Sequence, residues 1–144
     1  MQDPGNKKQG PVPKIRAQRG VHEHVLEHFA ALPPGRILDV PTGEGALSEK
    51  LVAMGYKVVA GDIAQDYVAQ GGAFVQLNMD ASLPFLDNSF DYVACVEGIE
   101  HIENPYQLTR EFARILRPGG VLVLSTPNIL CIHSRIRFFF ASHH

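Results

Sequence analysis

The chain contains 144 residues, which is enough for one domain with a single hydrophobic core. Its 45% hydrophobic content is sufficient for a packed core, and its formal net charge of −2 excludes, as a first interpretation, a globally basic nucleic-acid binder. No apolar run approaches the roughly 20 residues that cross a bilayer, and two cysteines are too few for a disulfide framework or a four-cysteine metal site. We therefore expect no stable membrane insertion and a reduced, cytoplasmic location.

The amino-terminal segment differs from the rest of the chain in composition. Residues 1–20 contain five Lys or Arg and one Asp, whereas residues 21–131 contain six Lys or Arg and fourteen Asp or Glu. The first 18 residues are also rich in Pro and Gly and lack apolar periodicity. These features predict a flexible basic arm over 1–18, followed by one folded domain over 19–144. The arm is most simply a solvated tail, and an anion-binding role is the alternative.

Helices and strands are predicted to alternate along the folded part. Val21, Val25 and Phe29 repeat at helical spacing, and the apolar run 90–96 is typical of a strand that is covered on both faces. The predicted helices are 19–31, 45–54, a short one at 64–70, 105–116 and one in the tail from 129. The predicted strands are 36–41, 56–62, 73–77, 90–96 and 121–125.

Alternation of this kind is typical of a doubly wound α/β fold. It predicts a parallel sheet with right-handed crossovers and with helices on both faces. In open sheets of this type, ligands bind at the carboxyl ends of the strands. Functional residues are therefore expected at 40–45, 62–63, 78–81, 97–101 and 125–128.

A glycine-containing loop follows the first predicted strand. Gly43 and Gly45 allow a ligand to approach the backbone closely at the start of the next helix. The loop departs from the dinucleotide fingerprint, because Pro41 takes the place of the first glycine and Ser48 the place of the last. Taken alone, the loop is weak evidence for a ligand, since an ordinary tight strand-to-helix turn has the same composition.

Acidic residues follow the second and third predicted strands. Asp62 is placed to accept hydrogen bonds from the two hydroxyls of a ribose, and a helix N-cap is its alternative role. Asp80 is able to accept a hydrogen bond from an exocyclic amine such as that of adenine, or to serve as a cap or turn residue.

Several segments in order resemble the class I S-adenosylmethionine-dependent methyltransferases, in the branch called methyltransferase type 11. The first segment is Ile37-Leu38-Asp39 with the loop 41–45, and the resemblance covers about 35–128. The other characteristic phrases are Leu83-Pro84-Phe85, Asn88-Ser89-Phe90-Asp91, Glu100-His101-Ile102 and Leu116-Arg117-Pro118-Gly119-Gly120. The resemblance implies a Rossmann-like sheet, S-adenosylmethionine as the cofactor and S-adenosylhomocysteine as its product.

The resemblance also implies cofactor-binding roles. The first loop would hold the amino-acid end of the cofactor, although Pro41 lacks the N–H of the glycine that it replaces. Asp62 would bind the ribose, the residue after it would pack on the adenine, and Asp80 would recognise the adenine edge. The implied cofactor-binding residues are Asp39, Pro41, Thr42, Gly43, Gly45, Asp62, Ile63, Asp80, Ala81 and Glu97.

His101 and Glu97 are the candidate catalytic residues. Glu97 would border the methyl-donor end of the cofactor. If the methyl acceptor is a hydroxyl, a base helps to remove its proton, and His101 is the candidate because histidine changes protonation near neutral pH. A structural histidine at a helix start is the alternative for His101, and Glu100 would either orient it or face solvent.

Other histidines and cysteines are assigned structural roles. His24 and His28 have a spacing that suits zinc on a helix, but His22 lies off that face and no third ligand is evident. We expect these three histidines to form a polar helix face, and we predict no metal site. Cys95 is expected to pack within the fourth strand.

The implied function is methyl transfer to a small-molecule acceptor, by O- or C-methylation of a quinone-like compound or a glycan or lipid precursor. The alternatives are a non-catalytic cofactor-binding fragment and a nicotinamide-dependent oxidoreductase. A nucleic-acid acceptor is not expected, because Glu-Gly-Ile-Glu at 97–100 does not resemble the Asn/Asp-Pro-Pro-aromatic loop of such enzymes.

The number of strands differs from that of the family. Its sheet ordinarily has seven strands, whereas five are counted here, with the implied order 3-2-1-4-5. We therefore expect the last two strands to be missing, and a homodimer or another partner to cover the exposed sheet edge. The Phe138–Phe140 run is interpreted as core that a missing element would cover, with an apolar acceptor pocket or a membrane contact as alternatives.

Overall fold

A computed structural model describes residues 12–15, 17 and 20–127 of the chain. Helices and strands alternate along these residues, as the sequence predicts. The helices are α1 (Val21–Ala30), α2 (Ala46–Ala53) and α3 (Pro105–Ile115), with a 3-10 turn at Ile99–His101. The strands are β1 (Arg36–Asp39), β2 (Lys57–Asp62), β3 (Ala73–Gln76), β4 (Phe90–Val96) and β5 (Leu116–Ser125).

The five strands form one parallel sheet. Their order is β3-β2-β1-β4-β5, which confirms the predicted order and the Rossmann-like, doubly wound class. The chain reverses its direction of winding between β1 and β4, so the carboxyl ends of these central strands border a crevice. The loops that carry the predicted functional residues all begin at this edge of the sheet.

Hydrophobic cores lie on both faces of the sheet. Successive residues of β1 point to opposite faces, so Ile37 packs with α1 and α2, whereas Leu38 packs with α3. Both side chains are fully buried, as is Cys95 in β4. Burial raises the pKa of the Cys95 thiol to about 12, which agrees with its predicted packing role.

An aromatic cluster attaches the carboxyl-terminal half of α1 to the sheet. The rings of Phe29, Tyr56 and Tyr92 meet edge to face, with centroids 5.7–5.8 Å apart. The Tyr56 hydroxyl donates to the Phe29 carbonyl at 2.7 Å, and the Tyr92 hydroxyl donates to the Pro33 carbonyl at 2.9 Å. The end of α1 and the turn after it are therefore fixed by both packing and hydrogen bonds.

A second cluster, around Arg114 of α3, fixes the loop before β4. The Arg114 guanidinium donates to Glu111 at 2.7 Å and to Asp87 at 2.8 Å, and it also bonds to the carbonyls of Leu83 and Phe85. Glu111 in turn accepts from the Leu83 N–H at 2.7 Å. These bonds lower the pKa of Glu111 to about 2, with the Arg114 hydrogen bond as the largest cause.

The structure corrects two of the predicted elements. Residues 64–70 form no helix, because the N–H groups of Val68 and Ala69 donate to the Glu44 carbonyl and not to carbonyls one turn earlier. The fifth strand starts at Leu116 and not at 121, and its pairing with β4 shifts register between Phe90 and Tyr92. The predicted tail helix and Phe138–Phe140 lie outside the described residues.

The helices of the described ranges are short. They contain 10, 8 and 11 residues, and none of them is long and apolar enough to span a membrane.

Candidate functional site

Two neighbouring cavities lie at the carboxyl ends of the strands. The first has a volume of about 360 Å³ and is strongly acidic, with carboxylates from Asp39, Glu44, Asp62, Asp66, Glu97 and Glu100. The second has a volume of about 230 Å³ and is mainly apolar, with Ile63, Met79 and Ile102 in its wall. Pro41, Asp62 and His101 line both cavities and so mark their junction. An elongated ligand with one polar and one apolar end fits this arrangement.

Asp39 ends β1 in the wall of the first cavity and is only 1% exposed. Its Oδ2 atom accepts from the Ser48 hydroxyl at 2.6 Å and from the Thr42 hydroxyl at 3.0 Å. Burial raises the pKa of Asp39 to about 6, while the two hydroxyl hydrogen bonds oppose this rise. The carboxylate thus holds the loop after β1 against the start of α2.

Asp62 joins the end of β2 to the loop after β1. Its Oδ2 atom accepts from the Gly43 N–H at 2.8 Å, and its Oδ1 atom accepts from the Ala64 N–H at 3.0 Å. A carboxylate has about four lone-pair positions, so these two bonds leave acceptor capacity on each oxygen. With both oxygens held by the backbone, Asp62 is oriented to accept from two neighbouring hydroxyls. The alternative role of Asp62 as a helix N-cap is wrong, since residues 64–70 form no helix.

The glycines of the first loop have different surroundings. A Cβ at Gly43, where φ is +55°, would meet no atom within 4 Å, so the cavity side of this residue is open to a ligand. A Cβ at Gly45, where φ is +93°, would collide with Tyr67 and Ala69 at 2.6 Å. Gly45 therefore allows the loop to pack against the segment that contains Tyr67 and Ala69. Both glycines were expected to let a ligand approach the backbone closely, but only Gly43 has the open space for it.

The loop's backbone donors mostly have acceptors within the chain. Thr42 N–H donates to the Gly61 carbonyl at 2.9 Å, and Gly45 N–H donates to the Thr42 carbonyl at 3.0 Å. The Gly43 N–H donates to Asp62, so the N–H groups of Thr42, Gly43 and Gly45 all have hydrogen-bond acceptors within the chain. Pro41 has no N–H; it follows a cis peptide bond, and a Cβ at Gly98 would collide with its ring.

The second cavity brings together two of the three residues predicted to bind an adenine. Ile63 is 64% exposed and lines this cavity, as does Asp80. The Asp80 Oδ1 atom accepts from the Glu103 N–H at 2.8 Å, which ties this loop to the residues before α3. Ala81 does not line either cavity, and its N–H donates to the Asn78 carbonyl at 3.1 Å.

Glu97, Glu100 and His101 follow β4 and line the first cavity. Glu97 has φ +48°, a left-handed conformation that is uncommon for a residue other than glycine, and such backbone strain is concentrated at functional sites. Its N–H donates to the Ser125 carbonyl at 3.0 Å. The His101 Nε2 atom lies 4.0 Å from the Glu100 Oε1 atom, and the His101 side chain is 78% exposed.

The structure also places residues at the site that the sequence reasoning missed. Lys14 and Ala17, in the predicted arm, line the first cavity, and the Lys14 N–H donates to the Glu44 carboxylate at 3.0 Å. His22 lines this cavity too and is only 8% exposed, so its assignment to a polar helix face is wrong. Across residues 20–127 and the short described stretches before them, no three His, Cys, Asp or Glu side chains are grouped to hold a metal ion.

Comparison with known proteins gives a family match and close relatives. The family described as a methyltransferase domain matches residues 38–124. The ubiquinone biosynthesis O-methyltransferase of Xanthomonas campestris pv. campestris is 33% identical over 129 residues, which cover 83% of this chain and 54% of the relative. The chain thus spans about half the length of the curated relatives that it matches.

Solved structures agree with this match. A Bacillus halodurans protein provisionally assigned as a methyltransferase is 29% identical, with a TM-score of 0.66 over 81% of this chain and 55% of that one. A Pyrococcus horikoshii protein at 24% identity supports the fold alone, with a TM-score of 0.71 over 91% of this chain and 65% of that one. From its matched family, its curated relatives and its sheet order, we conclude that the chain belongs to the class I S-adenosylmethionine-dependent methyltransferase family.

Proposed function

We propose that this chain binds S-adenosylmethionine and directs its methyl group to a hydroxyl of a small, quinone-like phenol. The observation that carries the proposal is the position of Asp62. It lies where an acidic and an apolar cavity meet, with both carboxylate oxygens fixed by backbone N–H groups. A nucleoside with a cationic substituent needs these three environments in this order.

The described residues fit such a ligand. The adenine fits the apolar second cavity against Ile63, with the Asp80 carboxylate at its edge. The ribose diol fits Asp62, and the amino-acid end extends into the first cavity beside the open face of Gly43. Carboxylates in the wall of that cavity favour the positive charges of the ammonium and the sulfonium. S-Adenosylmethionine supplies a methyl group on a sulfonium sulfur, which is electrophilic without further activation.

The chain's own residues then have two tasks in the proposed reaction. The first is alignment, because an in-line displacement gains most from holding the acceptor oxygen, the methyl carbon and the sulfur in one line. The second is proton removal from the acceptor hydroxyl, which we assign to His101 at the junction of the cavities. Glu100, 4.0 Å from the His101 Nε2 atom, stabilises the imidazolium that forms, and Glu97 borders the reacting end.

The acceptor class is proposed from the relatives. Curated proteins that the chain matches include ubiquinone biosynthesis O-methyltransferases of several Xanthomonas strains. A phenolic hydroxyl needs a base to take up its proton, and His101 lies at the junction of the two cavities. We propose a cytoplasmic location for this activity, and association as a homodimer stays a prediction.

Calorimetric titration with S-adenosylhomocysteine tests the cofactor part of the proposal. The wild-type chain is expected to bind, and Asp62→Ala is expected to weaken binding by about 1–3 kcal/mol, the range for a lost partner of buried hydroxyls. Glu49→Ala, which removes an exposed carboxylate from α2, is the matched control and should bind as wild type does.

Two results would contradict the proposal. Wild-type binding of NAD without binding of S-adenosylhomocysteine would favour an oxidoreductase. An unchanged affinity in Asp62→Ala would remove Asp62 from the ribose site. Methyl transfer itself is tested with labelled S-adenosylmethionine and a panel of catechols and hydroquinones, and binding without any labelled product would indicate a non-catalytic cofactor-binding protein.

A further inference from the structure

A bridge of two side-chain amides holds the loop after β2, and the proposed reaction has not used it. The Gln76 Nε2 atom donates to the Ile63 carbonyl at 2.9 Å. The Gln65 Nε2 atom donates to the Gln76 Oε1 atom at 2.8 Å, so both ends of the Gln76 amide are engaged. A backbone carbonyl only accepts hydrogen bonds, and this fixes the orientation of both amides. The bridge thus connects the last residue of β3 with the first residues after β2.

Other hydrogen bonds fix the backbone on both sides of Ile63. Asp62 pairs with Gln76 in the ladder between β2 and β3, and its carbonyl accepts from the Leu77 N–H at 2.8 Å. The Asp62 Oδ1 atom accepts from the Ala64 N–H at 3.0 Å. The Ile63 carbonyl lies between these bonds, and Gln76 is the residue that holds it.

The side chain of Ile63 depends on its backbone for its direction. It lines the apolar second cavity, although it is 64% exposed. A buried side chain is held by the packing around it, whereas one as exposed as this has few protein contacts to hold it. A hydrogen bond at its own backbone then takes over that task. Ile63 is therefore a wall residue whose position is set from β3.

We propose that Gln76 is a positioning residue for the cofactor and that, through the Ile63 carbonyl, it holds the Ile63 side chain against the face of the adenine. The inference rests on the proposed binding of S-adenosylmethionine and adds a residue that lines neither cavity. A contact that is already in place costs less to form when the ligand binds. Because Gln76 does not touch the ligand in this arrangement, its whole contribution to binding passes through Ile63 and the base.

The first test compares a ligand that has the base with one that lacks it. Gln76→Leu keeps a side chain of similar size and removes both amide bonds. It is expected to weaken calorimetric binding of S-adenosylhomocysteine by about threefold to tenfold, the range for one neutral hydrogen bond. S-Ribosylhomocysteine keeps the ribose and the amino-acid end without the adenine, and its affinity is measured by displacement of bound S-adenosylhomocysteine. That affinity should change by less than about twofold, whereas a general loosening of the loop would weaken both ligands.

The second test is a double-mutant cycle with S-adenosylhomocysteine alone. Ile63→Ala removes the apolar contact with the base and should weaken binding by about tenfold. Adding Gln76→Leu to Ile63→Ala should weaken binding by less than about twofold more, because no Ile63 side chain remains to be positioned.

Two further variants complete the design. Gln107→Leu makes the same replacement at an exposed position of α3 that lines neither cavity, and it should bind as wild type does. Gln76→Glu keeps the acceptor for Gln65 but has no N–H for the Ile63 carbonyl. It should weaken binding as Gln76→Leu does, and it provides a second variant if Gln76→Leu does not fold.

The outcomes separate this inference from the proposed function. A wild-type chain that does not bind S-adenosylhomocysteine contradicts the proposed function. With wild-type binding intact, the inference is overturned if folded Gln76→Leu or Gln76→Glu binds as wild type does. It is also overturned if Gln76→Leu weakens both ligands by the same factor, or if its effect is equally large with and without the Ile63 side chain.

Discussion

We expect the replacement of Asp39 by Asn to change the free energy of unfolding, relative to wild type, more favourably at neutral pH than at acidic pH. Asp39 is 1% exposed, and its Oδ2 atom accepts from both Thr42 and Ser48. An amide oxygen in the same place accepts the same two hydroxyl hydrogens, so the variant removes the charge and keeps these bonds. The variant therefore avoids the free energy that the wild type spends on ionising a buried carboxyl group at neutral pH.

The pKa of Asp39 sets the size and the sign of this effect. It rises from 3.8 to about 6 on folding, so the folded chain binds the proton more tightly than the unfolded chain. Stability from this group therefore falls as the pH rises from about 4 to about 6, and the full cost is present above pH 6. At about 1.4 kcal/mol per pKa unit, the difference amounts to about 3 kcal/mol.

Urea unfolding at pH 4 and at pH 7.5 measures this difference. Far-ultraviolet circular dichroism is the suitable signal because the chain contains no tryptophan. The free-energy difference between Asp39→Asn and wild type should change by about 2–3 kcal/mol in favour of the variant between these pH values. Hydrogen-bond changes that do not depend on pH cancel in this comparison. Equal pH dependence in both chains would refute the reasoning, and Glu23→Gln, an exposed change on α1, controls for net charge.

Two further predictions concern Glu111 and His101. Glu111→Gln removes the main partner of Arg114, and it should lower the free energy of unfolding at pH 7 by about 1–2 kcal/mol, a value reduced for solvent screening near the surface. Because the folded-state pKa of Glu111 is about 2 against 4.5 ordinarily, this loss should fade as the pH falls from 4.5 towards 2, and a constant loss in urea unfolding would contradict the ion-pair explanation. His101→Ala should lower the rate of methyl transfer by about 10²–10⁴-fold without changing the affinity for S-adenosylhomocysteine. A pH–rate profile that keeps both the wild-type rate and its acidic limb would show that His101 is not the base.

The sheet was predictable from local patterns in the sequence. Each strand contains a short apolar run, and the alternation of such runs with helical patterns predicts parallel strands with helices on both faces. The acidic residue after β2 was also predictable, since the chain direction fixes where a strand end lies. The position of Asp62 at the edge of the sheet, where the two cavities lie, could therefore be predicted from the sequence alone.

The features that were not predictable depend on contacts between distant segments. The segment 64–70 has a composition that permits a helix, but two of its N–H groups bond to the carbonyl of Glu44. Gly45 belongs to the loop in sequence, whereas its close neighbour in space is Tyr67. His22 follows a helical pattern shared with exposed histidines, and only the packing of α1 against the sheet places it in the cavity wall. No signal within these short stretches reports such tertiary contacts.

The aromatic attachment of α1 has a consequence for how the site is held in place. Tyr56 and Tyr92 bind the carboxyl-terminal end of the helix and the turn after it, whereas His22 lies seven residues before Phe29, about 10 Å along the axis. The carboxyl-terminal half of the helix is thus anchored in the core, whereas its first turn borders the first cavity. A small change in tilt at the tyrosines becomes a larger displacement of His22. Mutations in this distant cluster would consequently change the shape of the first cavity while every residue that lines it stays the same.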